Sequence, residues 1–265
     1  MKKQLLIALS TALLSSSLLA AGGGIELEKA PIDVHDKSSL QNGLRYYTNY
    51  CAGCHSLSSS RYNRVAKDAG MAVVPIDDSD EAATLADANA KLMYENIVFT
   101  TDKEGKPVNL GSLMHSSINK DDAANWFGAP PPDLSLVGRS RGSDWIYTYL
   151  KSFYLDPKRP VGVNNTAFPN VGMPHVLWEL QGWQTLEEHD DGHGHVEQTL
   201  HLSQPGTMSP AEYDVVVRDL TNFLTYVSEP AQLHRKTYGI FTMIFLAFFT
   251  VLAYMLKKEY WKDIH

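Results

Sequence analysis

Cysteine is nearly missing from these 265 residues. There are two, Cys51 and Cys54, in the stretch CAGCH, with His55 directly after them. One pair so close together cannot form a disulfide framework. No second close pair of cysteines completes the four ligands of a zinc site. No strand–helix–strand pattern surrounds the motif, so a thioredoxin-like dithiol lacks its context. There is no internal repeat, so the chain is not a repeat array. Positive charge is also short: 23 Lys and Arg stand against 30 Asp and Glu, for a net charge of −7. Five of those lysines (Lys2, Lys3, Lys257, Lys258, Lys262) sit at the two ends, so the middle of the chain is more acidic still. That balance argues against nucleic acid. It fits a basic or membrane-adjacent partner met by electrostatic steering, or simply a solubilising surface.

What remains for CAGCH is covalent attachment of a c-type haem. Two thiols add to the two vinyl groups of one porphyrin, and the next residue turns its imidazole onto the iron. The chain ends agree with that chemistry. Residues 1–21 have a Lys2–Lys3 start, a short apolar stretch broken by serines and a small-residue exit, which is the pattern of a cleaved secretory signal. Residues 239–256, GIFTMIFLAFFTVLAYML, carry no charge and span ~27 Å as a helix, close to a bilayer core. Tyr238, Tyr254, Tyr260 and Trp261 fit interfacial anchors. The expected organisation is therefore a signal at 1–21, an exported domain at 22–236, an anchor at 237–256 and a cytoplasmic tail at 257–265.

Within the exported part, SSLQNGLRYYTNY (38–50) has helical spacing of Leu40, Leu44 and Tyr47, with Ser38 or Ser39 near its N-cap. Residues 76–98 read as a helix with an acidic start, and DWIYTYLKSFY (144–154) as a short aromatic helix with Asp144 as its cap. The stretch 157–181 is rich in Gly, Pro and Asn and reads as irregular. WELQGWQTL and HVEQTLHLS pair as a small hairpin around EEHDDGHG. Residues 209–230 open with Ser209, Pro210 and Glu212, a capping box with proline at the first helical position. The helix before CAGCH and the helix at 209–230 are expected to cross and leave an apolar slot for a porphyrin.

His55 supplies one axial nitrogen. A closed second face restricts a haem to electron transfer, and a methionine there raises its potential. Met71, Met93, Met114, Met173 and Met208 lie between signal and anchor. Met173, in VGMPH, is the best placed, because Pro174 favours an extended backbone and the stretch is irregular. Met114, His115 and His175 are alternatives, and an open iron site is another. A carbonyl in the run Pro130–Pro131–Pro132 suits the other nitrogen of the proximal imidazole, which metal-bound histidines generally need held. Arg139 and Arg141 are candidates for the haem propionates.

Taken together, YYTNYCAGCHSL, GAPPPDLSLVGRSR, VGMPHVLWELQG, DLTNFLTYVSEP and HRKTYG before a C-terminal span resemble the cytochrome c1 family, the haem subunits of quinol–cytochrome c reductase (cytochrome bc1). The resemblance runs from about residue 36 to the end. It implies a mainly α, cytochrome c-like haem domain with loop insertions and a small β-hairpin, plus one C-terminal transmembrane helix. It implies one covalent haem c on Cys51 and Cys54, with His55 and Met173 as the iron ligands, Arg141 as the propionate partner and Pro132 beside the haem histidine. The implied function is single-electron transfer from a Rieske iron–sulfur protein to a periplasmic c-type cytochrome, with cytochrome b against the anchor, in a bacterial inner membrane, the bulk periplasmic and the C-terminus cytoplasmic. The chain by itself is then an electron-transfer subunit rather than an enzyme. The rivals are an anchored carrier outside this complex and a haem enzyme or gas sensor with an open iron.

Some features depart from that pattern. NWFGAP precedes PPDLS where an Asn-Gly pair is common. No extra cysteine pair braces the distal loop, so packing is expected to steady Met173. His189, His193 and His195 in 187–198 form either a metal site or a solvated acidic hairpin tip. Asp77, Asp78, Asp80 and Glu81 form an acidic cluster suited to a basic electron acceptor.

Overall fold

The computed structural model describes residues 26–71, 95–102, 104–190 and 196–263. The signal, Met93, the acidic cluster at Asp77–Glu81, most of the helix expected at 76–98 and the hairpin tip with His193 and His195 lie outside them. So does the side chain of His189.

Two helices build the frame. Helix α1, Lys37–Tyr46, starts at Asp36, whose carboxylate accepts the Ser39 N–H at 3.1 Å. The cap is therefore Asp36, two or three residues before the serines the pattern favoured; a carboxylate accepts the free N–H groups of a first turn equally well. At its end the helix widens into a π turn, Tyr47–Cys51. This turn delivers Cys51 with its side chain buried. The second frame helix is Pro210–Ser228. Its capping box is complete, with Ser209 and Glu212 each bonding the other's backbone. Tyr213, Val216, Val217, Leu220, Phe223, Leu224 and Val227 are all buried along it.

These helices cross at Gly43. A Cβ there would lie 2.1 Å from the Asp219 carbonyl oxygen and 2.5 Å from Phe223 Cβ, so only glycine permits the approach. A polar knot fixes the crossing. Asp219, fully buried, accepts from Ser39 Oγ at 2.8 Å, Asn42 Nδ2 at 3.1 Å and Arg218 Nη2 at 2.7 Å. Asn222 Nδ2 donates to Ser39 Oγ at 2.9 Å and to the Asp33 carbonyl at 2.7 Å. A buried charge is costly unless satisfied in this way.

The shorter elements hang on that frame. After α1 come β1, Leu57–Arg61; α2, Tyr62–Asp68; β2, Leu113–Met114; α3, Lys120–Phe127; α4, Val137–Ser140; α5, Ser143–Lys151; β3, Phe153–Leu155; β4, Val163–Asn165; α6, Trp178–Gln181; β5, Gly182–Asp190; and β6, Val196–Pro205. The Pro210–Ser228 helix is α7, and α8, Gln232–Tyr260, closes the chain. Among the described residues the strands form three antiparallel pairs, β1–β2, β3–β4 and β5–β6. This is the mainly helical fold with a small hairpin that the sequence implies.

Three local expectations need correction. Helix α5 begins after Gly142, so Asp144 lies inside it. The Asp144 carboxylate instead accepts the Ala30 N–H at 2.9 Å, pinning the extended lead-in. Trp178–Gln181 form a helical turn, and the hairpin strand starts only at Gly182. The stretch 157–181, expected to be irregular, contains β4 and α6; β4 exists because it pairs with β3, a contact no local periodicity records.

Helix α8 is the one described helix long and apolar enough to cross a membrane, with mean hydropathy 2.2 over its best window. None of its residues is buried. It follows α7 after three residues, Glu229, Pro230 and Ala231. Glu229 pairs with Arg139 of α4 at 3.3 Å and with Arg235 in the first turn of α8.

Candidate functional site

The turn after α1 presents the CAGCH residues. Both cysteines carry free thiols, Cys51 buried and Cys54 exposed. Burial, with Cys54 adding to it, pushes the Cys51 thiol up to about 12. The backbone closes tightly here: the N–H groups of Cys54 and His55 both donate to the Cys51 carbonyl, at 3.1 and 2.8 Å.

His55 is held from two sides. Tyr47, packed against Phe223 of α7, donates its hydroxyl to the His55 carbonyl at 2.7 Å. The His55 Nδ1 lies 2.7 Å from the Pro132 carbonyl oxygen. A carbonyl only accepts, so Nδ1 carries the proton and Nε2 keeps a free lone pair. Burial lowers the His55 pKa, opposed by the Pro132 bond and by Asp133, which favours the neutral ring a metal requires.

Pro132 is itself fixed by its neighbours. Leu134 N–H donates to the Ser56 carbonyl at 2.9 Å, and Ser59 N–H to Ser135 Oγ at 3.0 Å. Asp133 accepts from the Ser58 N–H at 3.0 Å, the Ser135 N–H at 2.8 Å and the Ser58 hydroxyl. Burial pushes the Asp133 carboxyl up, but the bonds from Ser135 and Ser58 outweigh it and hold it below the usual carboxylate range. The PPDLS loop and the CAGCHSL segment thus form one stitched unit. Gly138 continues it onto α7, its N–H donating to Ser228 Oγ at 2.9 Å.

Met173 lies half-buried at the edge of a separate small cluster of Phe153, Val163 and Val171. The Tyr149 hydroxyl donates to Met173 Sδ at 3.4 Å. Tyr149 stacks on Trp145, ring centroids 4.9 Å apart, and the Arg141 guanidinium sits 5.0 Å over the Trp145 ring. Arg141 forms no ion pair among the described residues, whereas Arg139 is taken by Glu229.

The alternative ligands fall elsewhere. Met114 is enclosed in the main core, and Met71 and Met208 pack against it. His175 is 4% exposed, stacked flat on Phe153 at 5.0 Å and edge-on to Trp183. Burial lowers its pKa to about 4 against smaller opposing effects of Gly182 and Gln181. A side chain closed in by protein on all sides presents no atom to a docked group. His115 is exposed and lines a cavity of about 540 Å³ with Arg61, Thr100 and Asn119. No group of three metal-binding side chains occurs among the described residues.

The donor set is a protonated-at-Nδ1 imidazole with a free Nε2, two adjacent thiols, an accessible thioether beside aromatic rings and an uncommitted guanidinium. It fits a covalently held haem. The cytochrome C1 family model matches residues 27–201 and 205–264. This chain belongs to the cytochrome C1 family. It is 48% identical to cytochrome c1 of Allochromatium vinosum, covering 99% of this chain and 100% of that one. It is 42% identical to a Nitrosomonas europaea protein named ammonia monooxygenase gamma subunit, covering 93% and 92%. The mitochondrial cytochrome c1 haem protein of Saccharomyces cerevisiae is 28% identical over 88% of this chain and 70% of its own. Family membership places the chain among haem proteins of electron transport.

What sequence reasoning missed is mostly on the distal side. Tyr149 was read only as part of an aromatic helix, and the asparagines of 164–170 only as loop formers. A Tyr at the inward position of α5 is the one signal that pointed there.

Proposed function

We propose that this chain is the haem subunit of a bacterial quinol–cytochrome c reductase, passing single electrons from a Rieske iron–sulfur protein to a periplasmic c-type cytochrome. The observation that carries this reading is the 2.7 Å contact of His55 Nδ1 with the Pro132 carbonyl inside a CAGCH segment, which leaves Nε2 as an axial donor. Cys51 and Cys54 would hold one haem c as thioethers. Met173 would supply a second protein ligand beside His55, Arg141 would meet a propionate, and Pro132 orients His55. When bound, the haem supplies a one-electron couple.

The residues do the rest by position. The bond from His55 to Pro132 fixes the imidazole plane and raises its donor strength. A thioether opposite an imidazole favours the reduced state, and the Tyr149 hydroxyl strengthens that preference by drawing density from the sulfur. Were His55 and Met173 both to ligate the iron, no position would be open to oxygen or peroxide. The route of the electron needs no acid or base from this chain. The signal at 1–21 exports residues 22–236, α8 holds them at the inner membrane beside cytochrome b, and residues 257–265 stay in the cytoplasm.

The test is isolation of the full chain from membranes. A pyridine haemochrome spectrum should show one thioether-linked haem, and the oxidised protein should show the long-wavelength sulfur-to-iron charge-transfer band. Cytochrome b and a Rieske subunit should copurify. Copurification with an oxygenase instead, or an iron that binds carbon monoxide, would overturn this function.

A further inference from the structure

The loop that delivers Met173 has no covalent staple, and packing alone was expected to steady it. The structure instead shows a closed ring of side-chain hydrogen bonds. Asn164 is buried in β4. Its Oδ1 accepts the N–H groups of Asn165 at 2.9 Å and Asn170 at 2.8 Å, while its Nδ2 donates to Asp156 Oδ2 at 3.1 Å. The Arg159 guanidinium grips the same residue from the other side, Nη1 to Asn170 Oδ1 at 2.9 Å and Nη2 to the Asn170 carbonyl at 3.3 Å. Backbone bonds from Arg159 N–H to the Asp156 carbonyl and from Asp156 N–H to the Gly162 carbonyl, both 3.0 Å, complete the ring. Asn165 ties it to α5, its Nδ2 donating to the Tyr149 carbonyl at 2.8 Å.

Asn170 is the focus of this ring. It holds a left-handed backbone, φ 65°, and is the one described non-glycine residue that does so. Such a conformation is disfavoured for a residue with a side chain and persists where neighbours over-determine it. Here its N–H, side chain and carbonyl are all engaged. Three residues later comes Met173, with Val171 buried between them. The direction of the chain into Met173 is therefore set at Asn170.

We propose that Asn164 and Arg159 are positioning residues for the distal thioether, forming a hydrogen-bonded clasp that keeps Met173 on the iron. The inference rests on Met173 being the distal ligand. Opening the clasp frees residues 166–172, lets the sulfur leave and exposes a coordination position to small molecules. Neither residue touches the haem site directly, so the effect is transmitted through Asn170.

The experiment uses the full membrane-bound chain with Asn164→Ala, Arg159→Lys and, as a control at an exposed surface ion pair, Lys106→Gln. Three quantities are read: the sulfur-to-iron band of the oxidised protein, carbon monoxide binding to the reduced protein, and the midpoint potential. The parent should show the band and stay closed to carbon monoxide. Asn164→Ala should lose most of the band, bind carbon monoxide and fall in potential, with haem still attached. Arg159→Lys keeps the charge but not the two-pronged grip, and should bind carbon monoxide several-fold more than the parent and less than Asn164→Ala. Lys106→Gln should match the parent. A parent without the band sinks the ligand assignment itself. A parent with the band, and variants that keep it and stay closed, overturns the clasp alone. If Asn164→Ala does not accumulate, an unchanged Arg159→Lys is enough to overturn it.

Discussion

The two sides of the site are held by different means. On the proximal side, His55, Pro132, Asp133 and the serines around them are joined by many parallel bonds that mix backbone and side-chain groups, and the unit rests on the α1–α7 crossing and the main core. On the distal side, Met173 borders a cluster of only three buried residues and depends on single side chains, Tyr149, Asn164 and Arg159. Many parallel bonds survive a single substitution, because those that remain, some of them to backbone N–H and C=O groups that nearly every residue type supplies, still hold. A few single side-chain anchors fail when one residue changes. On the proposed ligation, the His55 side would be the robust half of the pair and the Met173 side the tunable half.

That contrast can be broken most forcefully at Gly43. Gly43→Val forces α1 from α7 and should cost about 3 kcal/mol, with poor accumulation of haem-bearing protein; normal yield and an unchanged melting curve would show that the proximal frame does not need the close crossing. Met173→Leu should leave the haem attached and lower the midpoint potential by more than about 59 mV, tenfold in the one-electron equilibrium. An unchanged potential refutes the ligand assignment.

Acid should separate the two sides. His175 stays neutral when folded, its pKa lowered by burial to about 4, while an unfolded chain takes up a proton near 6.5. Stability therefore falls as pH drops from about 6.5 to about 4, by up to roughly 3 kcal/mol. Denaturant titrations across that range should show the fall, and His175→Phe should flatten it; an equal slope in both proteins would place the acid sensitivity elsewhere. Asp133→Ala strips three bonds from the exposed proximal loop and should cost only about 1 kcal/mol, read as a small melting shift with the spectrum unchanged. Smallest is Tyr149→Phe. It keeps the stack on Trp145 and removes the donor to sulfur, so the potential should drop by less than about 59 mV; a rise would reverse the proposed sense of the hydrogen bond.

Legibility in the sequence followed the same division. Helix α7 was readable because Ser209, Pro210 and Glu212 announce its start and its apolar stripe keeps helical period. The crossing partner was readable from Leu40, Leu44 and Tyr47, although Asp36 took the cap. The proximal pieces are short contiguous strings whose chemistry is explicit. The clasp was not readable. Asn164, Arg159 and Asn170 meet through side-chain bonds across a loop, and such bonds leave no period and no motif. The strands β1–β4 were hidden for a related reason: Leu57 pairs with Met114, a partnership set by the fold and not by either segment.

The short passage from α7 into α8 limits how the molecule can sit. Three residues, with Glu229 gripping Arg139 on one flank and Arg235 on the other, make a stiff collar rather than a swivel. A domain mounted so cannot lean far toward the lipid or away from it. On the proposed function, a haem carried by this domain would keep one altitude above the bilayer, and any shuttling over distance would fall to the proteins that come to meet it.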